Sequence, residues 1–308
     1  MQVDVSVIVV TWNVRAWLEP CLETVFAEIR RASLDAEVLV VDNASTDGTG
    51  SMVESRFPEA RLIENDENLG FAAANNIGIT QSSGRLVLLL NPDTELEAGA
   101  LAALVRHVEE HPDVAAVGAR LVGSDHEPQS SVTRFPTVPR EFAGLFHLGA
   151  VATTTDYPLS RWSTAEPRTV DVIQGCCMLL RRDVLDQIGF LDEDYFLYSE
   201  EVDLCHRIHL AGWRTTWLPT SVVVHHGGQS TKQMPRTMFL ELYRSKVLYF
   251  RKRHGRAQAL AYKAVLLAAS LARVALAPAA LFESSATRRR HLDLASRYLL
   301  LLRRLWWF

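Results

Sequence analysis

An unbroken apolar run, Leu86-Val87-Leu88-Leu89-Leu90, stops abruptly at Asn91-Pro92-Asp93. Apolar residues without alternation suit a strand covered by helices on both faces. The same design occurs twice earlier. Residues 5–10 end in Thr11, Trp12 and Asn13, and residues 36–41 end in Asp42 and Asn43. Between them Leu18, Cys21, Leu22, Val25, Phe26 and Ile29 recur at helical spacing. Strands alternating with helices predict an α/β fold: a mainly parallel central sheet flanked by helices, with right-handed crossovers. Such sheets bind ligands beyond the carboxyl ends of their strands, where Thr11 to Asn13, Asp42 and Asp93 all fall. Asp93 alone suits either a ligand or the cap of the following helix.

The alternation continues with a strand at 61–64, a helix at 69–81, a helix at 98–110 and a strand at 114–122. From 124 to 168 it dissolves into Ser, Thr, Pro and isolated aromatics. That segment reads as a lid beside the site or as a plain surface excursion. Regular structure returns at 170–180, with helices at 182–188 and 199–211, the latter closed by Gly212. A chain of 308 residues with 48% hydrophobic content buries a large core and suits one or two domains. The division expected is a catalytic domain over 1–250 and a helical appendage over 251–308.

A formal net charge of −4 gives no reason to expect nucleic acid as a partner. Cys21, Cys176, Cys177 and Cys205 show no C-x-x-C spacing, which fits reduced thiols in a cytoplasmic setting. The start of the chain enters a strand without a basic signal-peptide region. Gly48-Thr49-Gly50 lacks the third glycine of a dinucleotide fingerprint and follows the second strand, so hydride transfer is disfavoured.

VVTWN, VDNASTDGT, NLGFAAANNIGI, LLLNPDTE, the GCCMLL to YSEEVDLCHRI stretch and VVHHGGQST follow one another across residues 5–231. In that order they resemble glycosyltransferase family 2, inverting enzymes with the glycosyltransferase-A type fold. The GFAAANN version is most similar to the rhamnosyltransferase branch, which uses dTDP-rhamnose to build bacterial surface polysaccharides. The resemblance implies a nucleotide-diphosphate sugar donor and a glycan or lipid-linked acceptor. It assigns donor binding to Thr11, Trp12, Asn13, Asp42, Asn43, Gly70, Phe71, Asn75 and Asn91. Asp42 and Asn43 also suit an Asx turn that caps the helix starting near Thr49, the lesser of the two readings once the other strand ends are considered.

Asp93 is implied to hold a divalent cation, Mg²⁺ or Mn²⁺, which commonly takes few protein carboxylates. The family's usual D-x-D is Asn91-Pro92-Asp93 here, one carboxylate fewer. His225 matches a position that supplies a later metal ligand, although two adjacent histidines leave the choice with His226 open. In YSEEVDLCHR, Glu201 stands where the family carries its general base, with Glu in place of the commoner Asp. Taken alone, acidic residues after Ser199 also suit an ordinary capped helix start. Asp203 and Arg207 suit a helical ion pair.

From 251 onward a basic cluster precedes an apolar stretch interrupted by Lys263, Arg273 and Pro278. Its uncharged pieces fall short of the roughly 20 residues that span a bilayer. Interfacial amphipathic helices on the inner face of the plasma membrane fit, with a helical hairpin packed on the protein or a homodimer interface as the alternatives. A nucleotidyltransferase would carry a basic, glycine-rich loop near the first strand, which VVTWNVRAW lacks. A silent nucleotide-sugar binding or scaffold module remains the other alternative.

Overall fold

The computed structural model describes residues 3–278 and 284–308. The end of the expected apolar stretch, 279–282, lies outside the described residues. In chain order the elements are β1 (Val5–Thr11), α1 (Arg15–Ala32), β2 (Ala36–Asp42), α2 (Thr49–Arg56), β3 (Arg61–Glu64), α3 (Phe71–Thr80) and β4 (Leu86–Leu90). There follow β5 (Thr94–Leu96), α4 (Ala100–Glu110), β6 (Val114–Val122), β7 (Val132–Thr133), α5 (Val138–Leu145), β8 (Arg168–Val170) and β9 (Val172–Ile173). The chain continues through β10 (Cys177–Arg181), α6 (Arg182–Ile188), α7 (Glu200–Leu210), β11 (Arg214–His225), α8 (Pro235–Tyr249), α9 (Gly255–Leu276) and α10 (Ser285–Arg304).

The chain forms two compact units. The first, residues 1–135, 156–196 and 200–233, is built on a sheet ordered β3-β2-β1-β4-β10-β6-β11-β5, with β8 beside β11. β1, β2, β3 and β4 are parallel, as are β6 and β11. β10 runs antiparallel between β4 and β6, so those two share a direction. The sheet is thus mainly parallel and flanked by helices, with antiparallel insertions that apolar patterning does not reveal.

Strand geometry explains the unbroken apolar runs. Val5, Val7 and Val9 of β1 pack with Leu18, Leu22 and Leu104 on one face. Ile8 and Val10 meet Ala72, Ala74 and Ile79 on the other. Each fully buried Val, Leu or Ile side chain among them contributes about 1.5–3 kcal/mol. Helix α3 lies so close to β1 that a Cβ on Gly78 would come within 2.5 Å of Ile8 Cγ2.

The second unit comprises residues 136–155, 197–199 and 234–308. Its boundary therefore precedes the expected one at 251, and it recruits part of the segment read as a lid. That part contains α5, started by Thr137, whose hydroxyl accepts from Arg140 N–H. Lys246 donates to buried Glu141 at 2.8 Å, and Tyr262 adds a bond of 3.2 Å. Contacts between residues more than a hundred positions apart leave no periodic trace in sequence. Around them Tyr243, Val247, Phe250, Tyr262, Leu266 and Tyr298 form the unit's apolar core.

A π-helical turn at Phe250–His254 joins α8 to α9. The resulting run, Pro235–Leu276, is 42 residues and by length and composition alone is long and apolar enough to cross a membrane.

Candidate functional site

The parallel strands of the first unit end along one rim of the sheet. Register sets Thr11 beside Asp42, Val9 beside Leu90, and Val224 beside Val122. β5 returns against β11 with Thr94 opposite His225. Thr11, Asp42, Asn91, Asp93 and His225 therefore emerge at the carboxyl end of the sheet.

Asp93 and His225 face each other there. The Asp93 side chain is buried; its Oδ2 accepts from Gln229 N–H at 3.0 Å, and its backbone carbonyl accepts from His226 N–H at 2.9 Å. His225 Nε2 lies 3.6 Å from Asp93 Oδ1, beyond hydrogen-bonding range, and is a buried nitrogen without a hydrogen-bond partner. Gln129 explains this orientation. Its amide nitrogen donates to His225 O at 2.9 Å, which leaves its amide oxygen to face His225 Nδ1 at 3.0 Å. An amide oxygen only accepts, so Nδ1 carries the proton and Nε2 presents a lone pair. Burial also holds the imidazole below the usual histidine range, against the opposing pull of Asp93.

A carboxylate oxygen and a neutral imidazole nitrogen turned toward each other fit a divalent cation. Among the described residues no group of three or more His, Cys, Asp or Glu could hold a metal. The set suits an ion that draws its remaining ligands from phosphate and water. His226 is engaged elsewhere: its Nε2 meets Glu95 at 2.7 Å and its ring packs against Trp17.

At the end of β2, Asp42 is 3% exposed. Ser45 donates to its Oδ1 through both hydroxyl, at 2.5 Å, and amide, at 3.2 Å. Burial raises the carboxyl's pKa above the usual range, only partly offset by those bonds. Asn13, with φ of 50°, donates from its amide to Ser45 Oγ at 2.8 Å and accepts from Thr46 N–H at 2.7 Å. Gln233 holds the Asn13 carbonyl at 2.9 Å. The Thr11 hydroxyl is buried without a protein partner, and Trp12 beside it is half-buried.

Two of the expected donor-binding asparagines spend their amides inside the protein. Asn43 donates to Gly70 O at 3.2 Å and accepts from Asn65 at 2.8 Å, tying the β2 end to the start of α3. Asn75, 1% exposed, donates to Phe71 O on its own helix at 2.9 Å. Asn91 is anchored by its backbone, N–H to Cys176 O at 2.9 Å. Gly70 has φ of 84°, and a Cβ there would lie 2.3 Å from Phe196 O, the acceptor of Phe71 N–H. Only glycine fits that position.

Glu201 reaches the same rim through the segment before β10. A Cβ on Gly175 would stand 3.4 Å from the Phe71 ring and 3.7 Å from Glu201 Cβ, so three segments converge on that glycine. The neighbouring Cys176 thiol is pushed up chiefly by burial, with contributions from Cys177, Asp93 and Glu201. Asp93 and Glu201 thus both act electrostatically on one thiol. All four cysteines are free and buried. Asp203 forms its ion pair with Arg207 at 2.9 Å.

Three contributors escaped the sequence reading: Gln129, Gly175 and Asn76. Asn76 grips Leu191 by both backbone groups, at 2.8 and 3.0 Å, and meets Glu193 at 2.8 Å. Their partners lie 96 to 117 residues away for Gln129 and Asn76, so no local signal marks them.

The profile described as glycosyl transferase family 2 matches residues 6–189. The N-acetylglucosaminyl-diphospho-decaprenol L-rhamnosyltransferase of Mycobacterium tuberculosis is 31% identical over 258 residues, covering 77% of this chain and 81% of the relative. Rhamnosyltransferase WbbL of Escherichia coli is 28% identical over 167 residues, 51% of this chain and 61% of that protein. Among solved structures, the mannosyltransferase PcManGT of Pyrobaculum calidifontis, in complex with GDP-Man and Mn²⁺, superposes with a TM-score of 0.59. At 22% identity, with 98% of this chain and 81% of that one covered, the likeness is one of fold.

Proposed function

The chain belongs to glycosyl transferase family 2, and we propose that it is a metal-dependent, inverting rhamnosyltransferase. It moves rhamnose from dTDP-rhamnose to a hydroxyl of a polyprenyl-linked glycan at the cytoplasmic face of the plasma membrane, in cell-surface polysaccharide synthesis. Thr11, Trp12 and Asn13 line the base pocket, where Trp12 offers an aromatic face. Asp42 accepts from the pyrimidine N–H with the oxygen that Ser45 leaves unused. Asn43 and Asn75 act through the backbone, holding the glycine start of α3 where Gly70 and Phe71 approach the donor; Asn91, at the end of β4, completes the donor-binding set.

Asp93 and His225 hold the divalent cation, Mg²⁺ or Mn²⁺. When bound, such an ion neutralises charge on the departing diphosphate. Glu201 takes the proton of the acceptor hydroxyl as that oxygen attacks the anomeric carbon from the face opposite the diphosphate. Its place in the first turn of α7 favours the ionised form that accepts a proton.

The observation that carries this proposal is the pair of lone-pair atoms 3.6 Å apart on Asp93 and His225, at the rim that Glu201 also reaches. The test is transfer from dTDP-rhamnose to polyprenyl-diphospho-N-acetylglucosamine with Mn²⁺, followed by mass spectrometry. The expected result is a rhamnosylated lipid product of inverted anomeric configuration. Glu201→Gln should lower turnover about 10²–10⁴-fold and leave dTDP affinity unchanged. Substantial turnover by that variant would remove Glu201 from the chemistry. A thermal-shift preference for UDP- or GDP-sugars would overturn the donor assignment.

A further inference from the structure

We propose that α9 is a membrane-docking helix whose outward face lies in the headgroup boundary of a bilayer rich in anionic lipid. The inference needs no part of the catalytic reading. Leu260, Ala261, Ala264, Ala268, Leu271 and Ala275 are all exposed, and their spacing places them on one side of the helix. Leu260 is 63% and Leu271 53% exposed, on a helix whose opposite side buries Ala259, Tyr262, Leu266 and Ala269. An apolar stripe of this length on a single helix marks an interaction surface.

Charge identifies the partner. Residues 251–308 hold twelve Lys and Arg against two acids, Glu283 and Asp293, a net of +10. With the whole chain at −4, residues 1–250 carry −14. Arg256 and Lys263 lie seven residues apart on the shoulder of the stripe, and Arg251 and Lys252 stand exposed ahead of it. Basic side chains flanking an apolar stripe are the pattern of a helix lying in an interface, with the charges reaching the phosphates. Lys263 Nζ also donates to Phe308 O at 2.6 Å, which brings the end of the described chain beside α9. Trp306 and Trp307 there are 74% and 85% exposed.

The helix lies on the bilayer rather than across it. One face of the Pro235–Leu276 run is occupied by protein, including the ion pair of Lys246 with Glu141 and the hydroxyl of Tyr262. A second copy docked tail to tail would set +10 against +10, whereas anionic lipid neutralises both charge and stripe.

The test is flotation of the full chain with vesicles of phosphatidylcholine alone and with one-third phosphatidylglycerol, at low and high salt. Binding should be at least tenfold stronger with phosphatidylglycerol, weaken at high salt, and be released by alkaline carbonate. Leu260→Glu with Leu271→Glu, both at exposed positions, should cut binding at least tenfold while dTDP affinity and the melting temperature stay unchanged. Equal flotation of the variant and the wild type would overturn the proposal. So would equal binding to the two vesicle types, carbonate-resistant binding, which signals a spanning helix, or a variant that loses only self-association in sedimentation. Loss of transferase activity on a lipid acceptor with retained transfer to a soluble one would follow from lost docking, whereas failure on both acceptors by the wild type would concern the catalytic reading alone.

Discussion

Gln129→Leu should weaken metal-dependent nucleotide binding although Gln129 is not itself a ligand. The substitution removes two bonds, the amide donation to His225 O at 2.9 Å and the contact with Nδ1 at 3.0 Å. Each is worth about 1 kcal/mol net. The first restrains the backbone at the end of β11; the second fixes both ring rotation and tautomer. Loss of an outer partner to a ligating histidine typically costs about 10–100-fold in metal affinity, or roughly 1.4–2.7 kcal/mol, consistent with those two bonds. Gln129→Glu keeps an acceptor for Nδ1–H but loses the donor to His225 O, so it should fall between wild type and Leu. Calorimetric titration of dTDP in Mn²⁺ and in EDTA reads the effect directly. The Leu variant should lose affinity in Mn²⁺ and match wild type in EDTA. If His225→Ala abolishes the metal-dependent component but Gln129→Leu leaves it within twofold, the clamp does not orient the ring. If His225→Ala itself changes nothing, His225 is not a ligand.

Asp93→Ala should remove the Mn²⁺-dependent part of nucleotide affinity; identical titrations with and without EDTA in the wild type would contradict this. Gly70→Ala forces a side chain to φ of 84° and into Phe196 O, costing about 2 kcal/mol or more and lowering Tm by roughly 5 °C; a melt within a degree of wild type would refute the close approach. Because burial raises the Asp42 pKa, its carboxyl takes up a proton at a higher pH than an ordinary aspartate, and dTDP affinity should fall on the acid side of neutrality. Asp42→Asn should flatten that limb, and an unchanged profile would exclude Asp42 as the base acceptor. The stability effect has the opposite sign: a raised folded-state pKa favours the folded protein below the unfolded pKa, and this contribution is lost as pH rises through the raised value.

The rim was legible because parallel strands buried on both faces leave no alternation, so each apolar run announces its own end. β1, β2 and β4 finish where Thr11, Asp42 and the NPD sequence begin. β11 is not announced in this way, since Pro219 interrupts the run and the strand shifts register between Leu218 and Val222. α5 hid in a polar segment, although Thr137 followed by Pro139 is a helix-start signal that composition masked. The antiparallel β10 carries the same apolar signature as its parallel neighbours, since burial fixes composition and leaves direction open. Gln129 and Asn76 were invisible for a different reason: a buried amide is defined by its partner, and here each partner is supplied by a distant strand or loop.

The segment leading to Glu201 shows why the choice between a helix cap and a catalytic base could not be made from residue types. Ser199 has φ of 68°, not the extended backbone of an ordinary N-cap, and Tyr198 before it has φ of 69°. Two consecutive left-handed residues that are not glycine cost on the order of 1 kcal/mol or more each. The chain is pinned just upstream: Asn76 holds Leu191 and Glu193, and Phe71 N–H holds Phe196 O. A chain fixed at those points has Tyr198 and Ser199 left to turn into α7. The helix then starts directly at Glu200, which places Glu201 in its first turn. First-turn placement of an acidic residue stabilises the helix through the partial charges at its N-terminus. Capping and catalysis therefore call for the same acidic residues, so residue type alone does not choose between them; the Glu201→Gln variant does.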